Sequence, residues 1–172
     1  MSKPADKKIL VVDDEDDVRQ FLELALKEAG FNVITACDGF EAMEKVEKEH
    51  PDLISLDLVM PKKSGAKFYH DLNKNKKYNK IPVLIVTGHA RDDLGRADLK
   101  ELTMSGPGIY LEKPVSPPKY VAAVKSLLGL DATDEEQNLA SQVSLQSELK
   151  NIIDAADPET LRKLKKLING KK

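Results

Sequence analysis

Between residues 9 and 129 the chain alternates short, continuously apolar runs with stretches of helical period. Ile9-Leu10-Val11-Val12, Phe31-Asn32-Val33-Ile34-Thr35, Leu53-Ile54-Ser55-Leu56, Ile81-Pro82-Val83-Leu84-Ile85-Val86 and Ile109-Tyr110-Leu111 read as strands. Runs with no polar alternation belong to strands covered on both faces. The intervening pattern predicts helices over 15–29, 39–49, 64–73, 90–104 and 117–129. Gly30 supplies the usual glycine stop for the first of them. Five such alternations predict an α/β fold, a parallel sheet between two layers of helices. Strand order is not legible from periodicity.

The chemistry gathers at the ends of these strands. Asp13-Asp14 follow the first apolar run and Asp57 follows the third. Parallel strands end at one edge, so the three carboxylates are expected to converge there. Carboxylates crowded in this way repel one another unless a cation or protons intervene. Oxygen ligands of this hardness suit Mg²⁺, which keeps several waters and leaves room for phosphate oxygens. The fourth run leads into Thr87-Gly88 and the fifth into Glu112-Lys113-Pro114. A Thr87 hydroxyl can hydrogen-bond a phosphoryl oxygen, and the Lys113 ammonium can neutralise another. Asp13 and Asp14 also precede Glu15-Asp16-Asp17 at a helix start, where acids cap and complement the dipole. Taken with Asp57, Thr87 and Lys113, the first two read as site residues and the other three as helix-start charges, with Glu15 at the entrance.

This ordered set resembles the receiver domain of two-component response regulators, over roughly residues 6 to 129. The resemblance implies a flavodoxin-like five-stranded parallel sheet of order 2-1-3-4-5, with the site at the carboxyl ends of the strands. It implies Asp57 as phosphoacceptor from a phosphohistidine donor, Asp14 as direct Mg²⁺ ligand and Asp13 as a ligand acting mostly through water. Val59 would lend a backbone carbonyl to the metal, Thr87 and Lys113 would contact the phosphoryl group, and Tyr110 would be the aromatic switch. Lys113-Pro114 would be a cis peptide, and Met60-Pro61 and Gly65 fit the loop after the acceptor strand. Without the resemblance, Tyr110 is a partly buried aromatic with a wet hydroxyl. His89 lies two residues past Thr87, whereas His50 and His70 read as surface residues.

Two other classes share parts of this set. An aspartyl-phosphate hydrolase of the haloacid dehalogenase-like kind requires an aspartate two residues after the nucleophile, where this chain has Val59. A phosphate-independent interaction module on the same fold does not need the complete acceptor set. The expected function is therefore signalling: Asp57 takes a phosphoryl group, later loses it slowly, and a conformational change passes to a partner. Ser105-Gly106-Pro107-Gly108 and Pro117-Pro118 depart from the family's usual approach to the fifth strand and its last helix.

Composition narrows the partners. The 27 basic and 29 acidic residues nearly balance, so nucleic-acid binding by the whole chain is not expected. Cys37 is the only cysteine, which excludes an intrachain disulfide framework and fits a reducing compartment. No apolar run has membrane-spanning length and residues 1–5 lack a signal core, so a soluble cytoplasmic protein is expected. The expected partners are a histidine kinase or phosphotransfer protein and a downstream protein. The polar, lysine-rich segment Asn73–Lys80 reads as a solvated loop.

The domain boundary is placed near Gly129, giving a receiver over 1–129 and a helical extension over 130–172. Roughly forty residues after Gly129 are too few for a helix-turn-helix DNA-binding domain. Leu139, Val143, Leu145, Leu149, Ile152, Ile153 and Ala156 suggest one amphipathic helix. Asp157-Pro158-Glu159 reads as a stop and restart, followed by the stripe Leu161, Leu164, Leu167 and Ile168. Residues 131–157 carry one lysine against seven acids, a net of −6, and 158–172 carry six bases against Glu159, a net of +5. Opposite charge favours pairing of the two segments as a helical hairpin that docks on the receiver or forms a homodimer.

Overall fold

The computed structural model describes residues 3–60, 62, 64–88, 109–155 and 157–162. A short 3₁₀ turn, Pro4–Asp6, precedes β1 (Lys8–Val12), α1 (Asp16–Glu28), β2 (Asn32–Ala36), α2 (Gly39–Glu49) and β3 (Leu53–Leu56). After these come α3 (Gly65–Lys74), β4 (Val83–Thr87), β5 (Ile109–Glu112), α4 (Pro117–Leu127) and α5 (Asp134–Ala155). All strand pairs are parallel and the sheet order is β2-β1-β3-β4-β5, the flavodoxin-like order. The expected helix over 90–104, Pro61, His89 and Ser105–Gly108 lie outside the described residues, as does the tail stripe from Leu164 onward.

The buried strands split their side chains between two cores, as a period of two requires. Leu10, Val12, Ile54, Leu56 and Ile85 face Ala42 and Val46 of α2 and Phe68 and Leu72 of α3. Ile9, Val11, Leu53, Leu84, Val86 and Leu111 face Leu22 and Leu26 of α1 and Tyr120, Ala123 and Val124 of α4. Every residue of β3 and β4 is buried, which accounts for the absence of alternation in the sequence. Tyr78 corrects the reading of Asn73–Lys80 as a solvated loop. Its ring is buried in the first core, beneath lysines that stay in water.

Local signals set the helix ends. Gly30 (φ 90°) and Gly129 (φ 61°) take the left-handed conformation after α1 and α4. The amides of Phe31 and Leu130 then bond back to Leu26 O and Lys125 O at 3.0 Å, the Schellman pattern that satisfies last-turn carbonyls. Asp38 caps α2 by accepting from the amides of Phe40 and Glu41, and Glu41 accepts from the Cys37 amide at 2.8 Å.

Past Gly129 the chain turns and α5 packs back along α4 and β5, with Val143 joining the second core. The buried stripe of α5 is Ala140, Val143 and Ser147, whereas Leu145 and Leu149 are 58% and 50% exposed. The hydrophobic pattern of the sequence puts both leucines on one apolar face with Val143, and the structure does not. At 3.6 residues per turn, Leu145 stands roughly 200° around the helix from Val143, so one face cannot hold both. Small residues at 140 and 147 win that face because they let the helix approach the sheet edge. Asp157 caps the next turn, accepting from the amides of Glu159 and Thr160 at 2.9 and 3.0 Å. Among the described residues no helix is long and apolar enough to cross a membrane.

The Glu41 carboxylate, held by Lys45 and the Cys37 amide, has its pKa pushed down to about 2 from 4.5. A depressed carboxyl stabilises the fold above its unfolded pKa and loses that contribution as pH falls through its folded one. The group is partly exposed and screened, so Glu41→Gln is expected to cost no more than about 1 kcal/mol at neutral pH. Urea unfolding should show the gap between variant and parent closing as the pH drops from about 4.5 toward 2.

Candidate metal and phosphoryl site

The ladder between β1 and β3 aligns Val12 with Leu56, and the Asp57 amide continues it by donating to Val12 O at 2.9 Å. Asp13 and Asp57 therefore leave neighbouring strands at the same level. Both side chains are almost wholly buried, at 1% and 2% exposure, while Asp14 is half-buried. One oxygen from each of Asp13, Asp14 and Asp57 lies within 4.8 Å of the others. The site sits beside β1, where the order of strands reverses, the usual place for a ligand in such sheets.

Lys113 comes from the other side of the cleft. Its amide donates to Thr87 O at 3.1 Å, which ties the end of β5 to the end of β4. Its ammonium lies 2.7 Å from Asp13 Oδ2, 3.0 Å from Asp57 Oδ2 and 3.3 Å from Glu15 Oε1. The Lys113–Pro114 peptide is cis. Thr87 is buried at the end of β4, and Tyr110 is half-buried on β5 against the first core. Val59 is half-buried, and its amide donates to Asp57 Oδ1 at 3.3 Å. The structure thus brings Asp13, Asp14, Asp57, Val59, Thr87 and Lys113 to one end of the sheet. His50 and His70 lie elsewhere, at the exposed end of α2 and on α3.

Burial pushes the Asp13 carboxyl above its usual range, against the pull of Lys113 and the Glu15 amide. Burial alone would lower the Lys113 pKa, but Asp13 and the charge of Asp57 outweigh it and hold the ammonium above its ordinary value. Three carboxylates facing one ammonium leave an excess of negative charge in a buried place. That excess, together with a compact set of hard oxygen donors, fits a divalent cation such as Mg²⁺.

Other residues hold this geometry in place. A Cβ on Gly65 would lie 1.8 Å from the Asp57 carbonyl oxygen, so α3 can begin against the end of the Asp57 strand only with glycine there. Arg19 donates to the Asp13 carbonyl at 2.7 Å, and Asp13 Oδ1 accepts from the Glu15 amide. Lys62 pairs with the Asp38 carboxylate at 3.2 Å near the rim. Sequence reasoning found Gly65 by position and missed its cause. For Arg19 and Lys62 no local signal existed.

A family model, the response regulator receiver domain, matches residues 9–125. The chain belongs to the response regulator receiver family. It is 41% identical over 122 residues to the alkaline phosphatase synthesis transcriptional regulatory protein PhoP of Bacillus subtilis, a match covering 71% of this chain and 48% of that one. Protein PilG of Pseudomonas aeruginosa is 33% identical over 119 residues, covering 69% of this chain and 85% of PilG. The chain thus spans about half the length of most of the curated relatives it matches. Among solved structures, the chemotaxis protein CheY4 of Vibrio cholerae superposes with a TM-score of 0.61 at 30% identity, covering 70% of this chain and 98% of CheY4. The receiver domain of the sensor histidine kinase PA1611 of P. aeruginosa, which has a magnesium ion coordinated in its active-site cleft, shares the fold at 22% identity and a TM-score of 0.63. It covers 72% of this chain and 98% of that domain.

Removing the Lys113 ammonium leaves the buried carboxylates without their internal cation. Lys113→Met is expected to lose about 3–5 kcal/mol in urea unfolding without metal, the usual penalty for stranding one side of a buried ion pair. Added Mg²⁺ should return part of that loss. An unchanged midpoint would mean that the three aspartates do not depend on Lys113.

Proposed function

We propose that this receiver takes a phosphoryl group from a phosphohistidine donor onto Asp57 and signals by a change of conformation. The observation that supports this best is the Lys113 ammonium between the Asp13 and Asp57 carboxylates, 3.0 Å from Asp57 Oδ2. In the transfer an Asp57 oxygen attacks phosphorus in line, the bond from phosphorus to the imidazole nitrogen breaks, and an acyl phosphate forms. Asp13, Asp14, Asp57 and the Val59 carbonyl would hold Mg²⁺, which supplies charge neutralisation at the phosphoryl oxygens. Lys113 exchanges its contact with Asp57 for one with a phosphoryl oxygen, and the Thr87 hydroxyl hydrogen-bonds another. Both are already anchored at adjacent strand ends, so positioning supplies much of the catalysis.

The new dianion draws Thr87 inward, and Tyr110, on the adjacent strand, changes its packing. The output is a surface state read by a downstream protein, and the domain has no turnover substrate. The exposed Leu145 and Leu149 on the outer face of α5 support a homodimer through the C-terminal helices as one form of that output. The free thiol of Cys37 is exposed, which agrees with a reducing, cytoplasmic setting.

Incubated with acetyl phosphate and Mg²⁺, the chain should gain one phosphoryl group by intact mass, and Asp57→Asn should gain none. Uptake by Asp57→Asn at the parent's rate would move the acceptor elsewhere. The acyl phosphate should be long-lived, because Val59 offers no polar side chain to orient an attacking water. Val59→Asn, whose amide can hydrogen-bond and position a water, is therefore expected to shorten its half-life by about tenfold, a modest positioning effect. An unchanged half-life would mean that another group controls the water.

A further inference from the structure

One of the two edge strands of the sheet is β5, and α5 covers it. Tyr110 and Glu112 turn their backbone polar groups outward, since Lys113 bonds inward to β4. An exposed edge of this kind invites pairing with another chain unless something covers it. Ser147 covers it at Tyr110: its hydroxyl accepts from the Tyr110 amide at 3.3 Å and lies 3.2 Å from the Tyr110 carbonyl. It is also 2.9 Å from Val143 O. With one proton, the hydroxyl donates to one of the two carbonyls at a time. The contact with the strand is polar and part-buried, made to the backbone of a single residue.

The rest of the interface is packing along α4. Val143 is 1% exposed and Ala140 8%, and Lys125 of α4 pairs with Glu136 at 2.6 Å. Toward the site the helix stands clear. A cleft of about 330 Å³ separates Gln146 from Pro114, Ser116 and Lys119, with Tyr110 on its wall. The helix is therefore held along α4 by a packed, buried stripe and at the β5 edge by one hydroxyl.

We propose that α5 is a cis-bound occupant of the face made by β5 and α4, clamped through Ser147 to the Tyr110 backbone, and that docking of α5 and phosphorylation of Asp57 oppose one another. The inference rests on Asp57 being the phosphoacceptor. The connection is short and covalent: the clamp is on Tyr110, and Lys113, three residues along the same chain, is the cation on Asp57. The docked helix fixes β5 in the arrangement where Lys113 pairs with Asp13 and Asp57. A phosphoryl group takes Lys113 and Thr87 into new contacts, which shifts the strand that Ser147 grips. By linkage, whatever the phosphoryl group takes from docking, docking takes from phosphorylation. Released, α5 uncovers the β5 edge and the face of α4 that bears Ala122 and Ser126 for a partner, for which an amphipathic helix with small residues at a spacing of three and four is the fitting shape.

The test uses the full chain as parent, Val143→Asp and Ser147→Ala, each checked for helicity and for an intact receiver by circular dichroism. Hydrogen exchange is followed at residues 109–112 and 134–149, with Mg²⁺ alone and with Mg²⁺ plus beryllium fluoride as phosphoryl mimic. In the parent the mimic should speed exchange of α5 by about tenfold, a typical allosteric coupling. Val143→Asp should exchange fast in both states and accept phosphoryl from acetyl phosphate about five- to tenfold faster than the parent. Ser147→Ala, which keeps the packing and removes the clamp, should fall between them. Phosphoryl uptake at Asp57 with unchanged α5 protection, and equal rates for parent and Val143→Asp, would overturn the coupling and leave the phosphoacceptor reading standing. No uptake by either protein would overturn both.

Discussion

Everything at this site depends on placing one ammonium between two buried carboxylates. Lys113 stands 2.7 Å from Asp13 and 3.0 Å from Asp57, in a place where water contributes little. Such a pair stabilises only when geometry and hydrogen bonding repay desolvation. Here repayment is partial, because Asp14 adds a third carboxylate within 4.8 Å. The remaining negative charge makes the site receptive to a divalent cation and keeps Lys113 ready to change partners. A fully neutralised cluster would be more stable and less responsive.

The fold supplies the geometry through backbone, not through the site's own side chains. Asp57 and Asp13 are level because β1 and β3 are in register, and Lys113 reaches them because its amide is fixed to Thr87 O. Gly65 allows α3 to start against the Asp57 carbonyl. The same economy appears at the far edge, where one serine hydroxyl joins α5 to the β5 backbone. Charge at the centre and a hydroxyl clamp at the edge are connected by a four-residue strand.

The parts of this arrangement that the sequence reveals are those written in residue type at strand ends. Asp13, Asp14, Asp57, Thr87 and Lys113 each follow an apolar run, so their convergence follows from a parallel sheet alone. Strand order and the cis peptide came from the family resemblance, since periodicity carries neither. Tyr78 escaped because its neighbours are lysines and asparagines, and local polarity hides a single buried ring. Leu145 and Leu149 misled because hydrophobic residues were gathered without regard to their angle around the helix. Ser147 was invisible: a serine inside a polar helix has no signal until a strand edge is placed beside it.

The most direct test of the charge argument is the binding of Mg²⁺ itself, measured by calorimetry on the unphosphorylated full chain and on Asp13→Asn, Asp14→Asn and Lys113→Met. The account predicts one ion per chain, affinity reduced by about tenfold or more in each aspartate variant, and affinity raised in Lys113→Met, where the competing internal cation is gone. Equal affinity in all four proteins would contradict it, because the ion would then be bound away from the Asp13, Asp14 and Asp57 cluster.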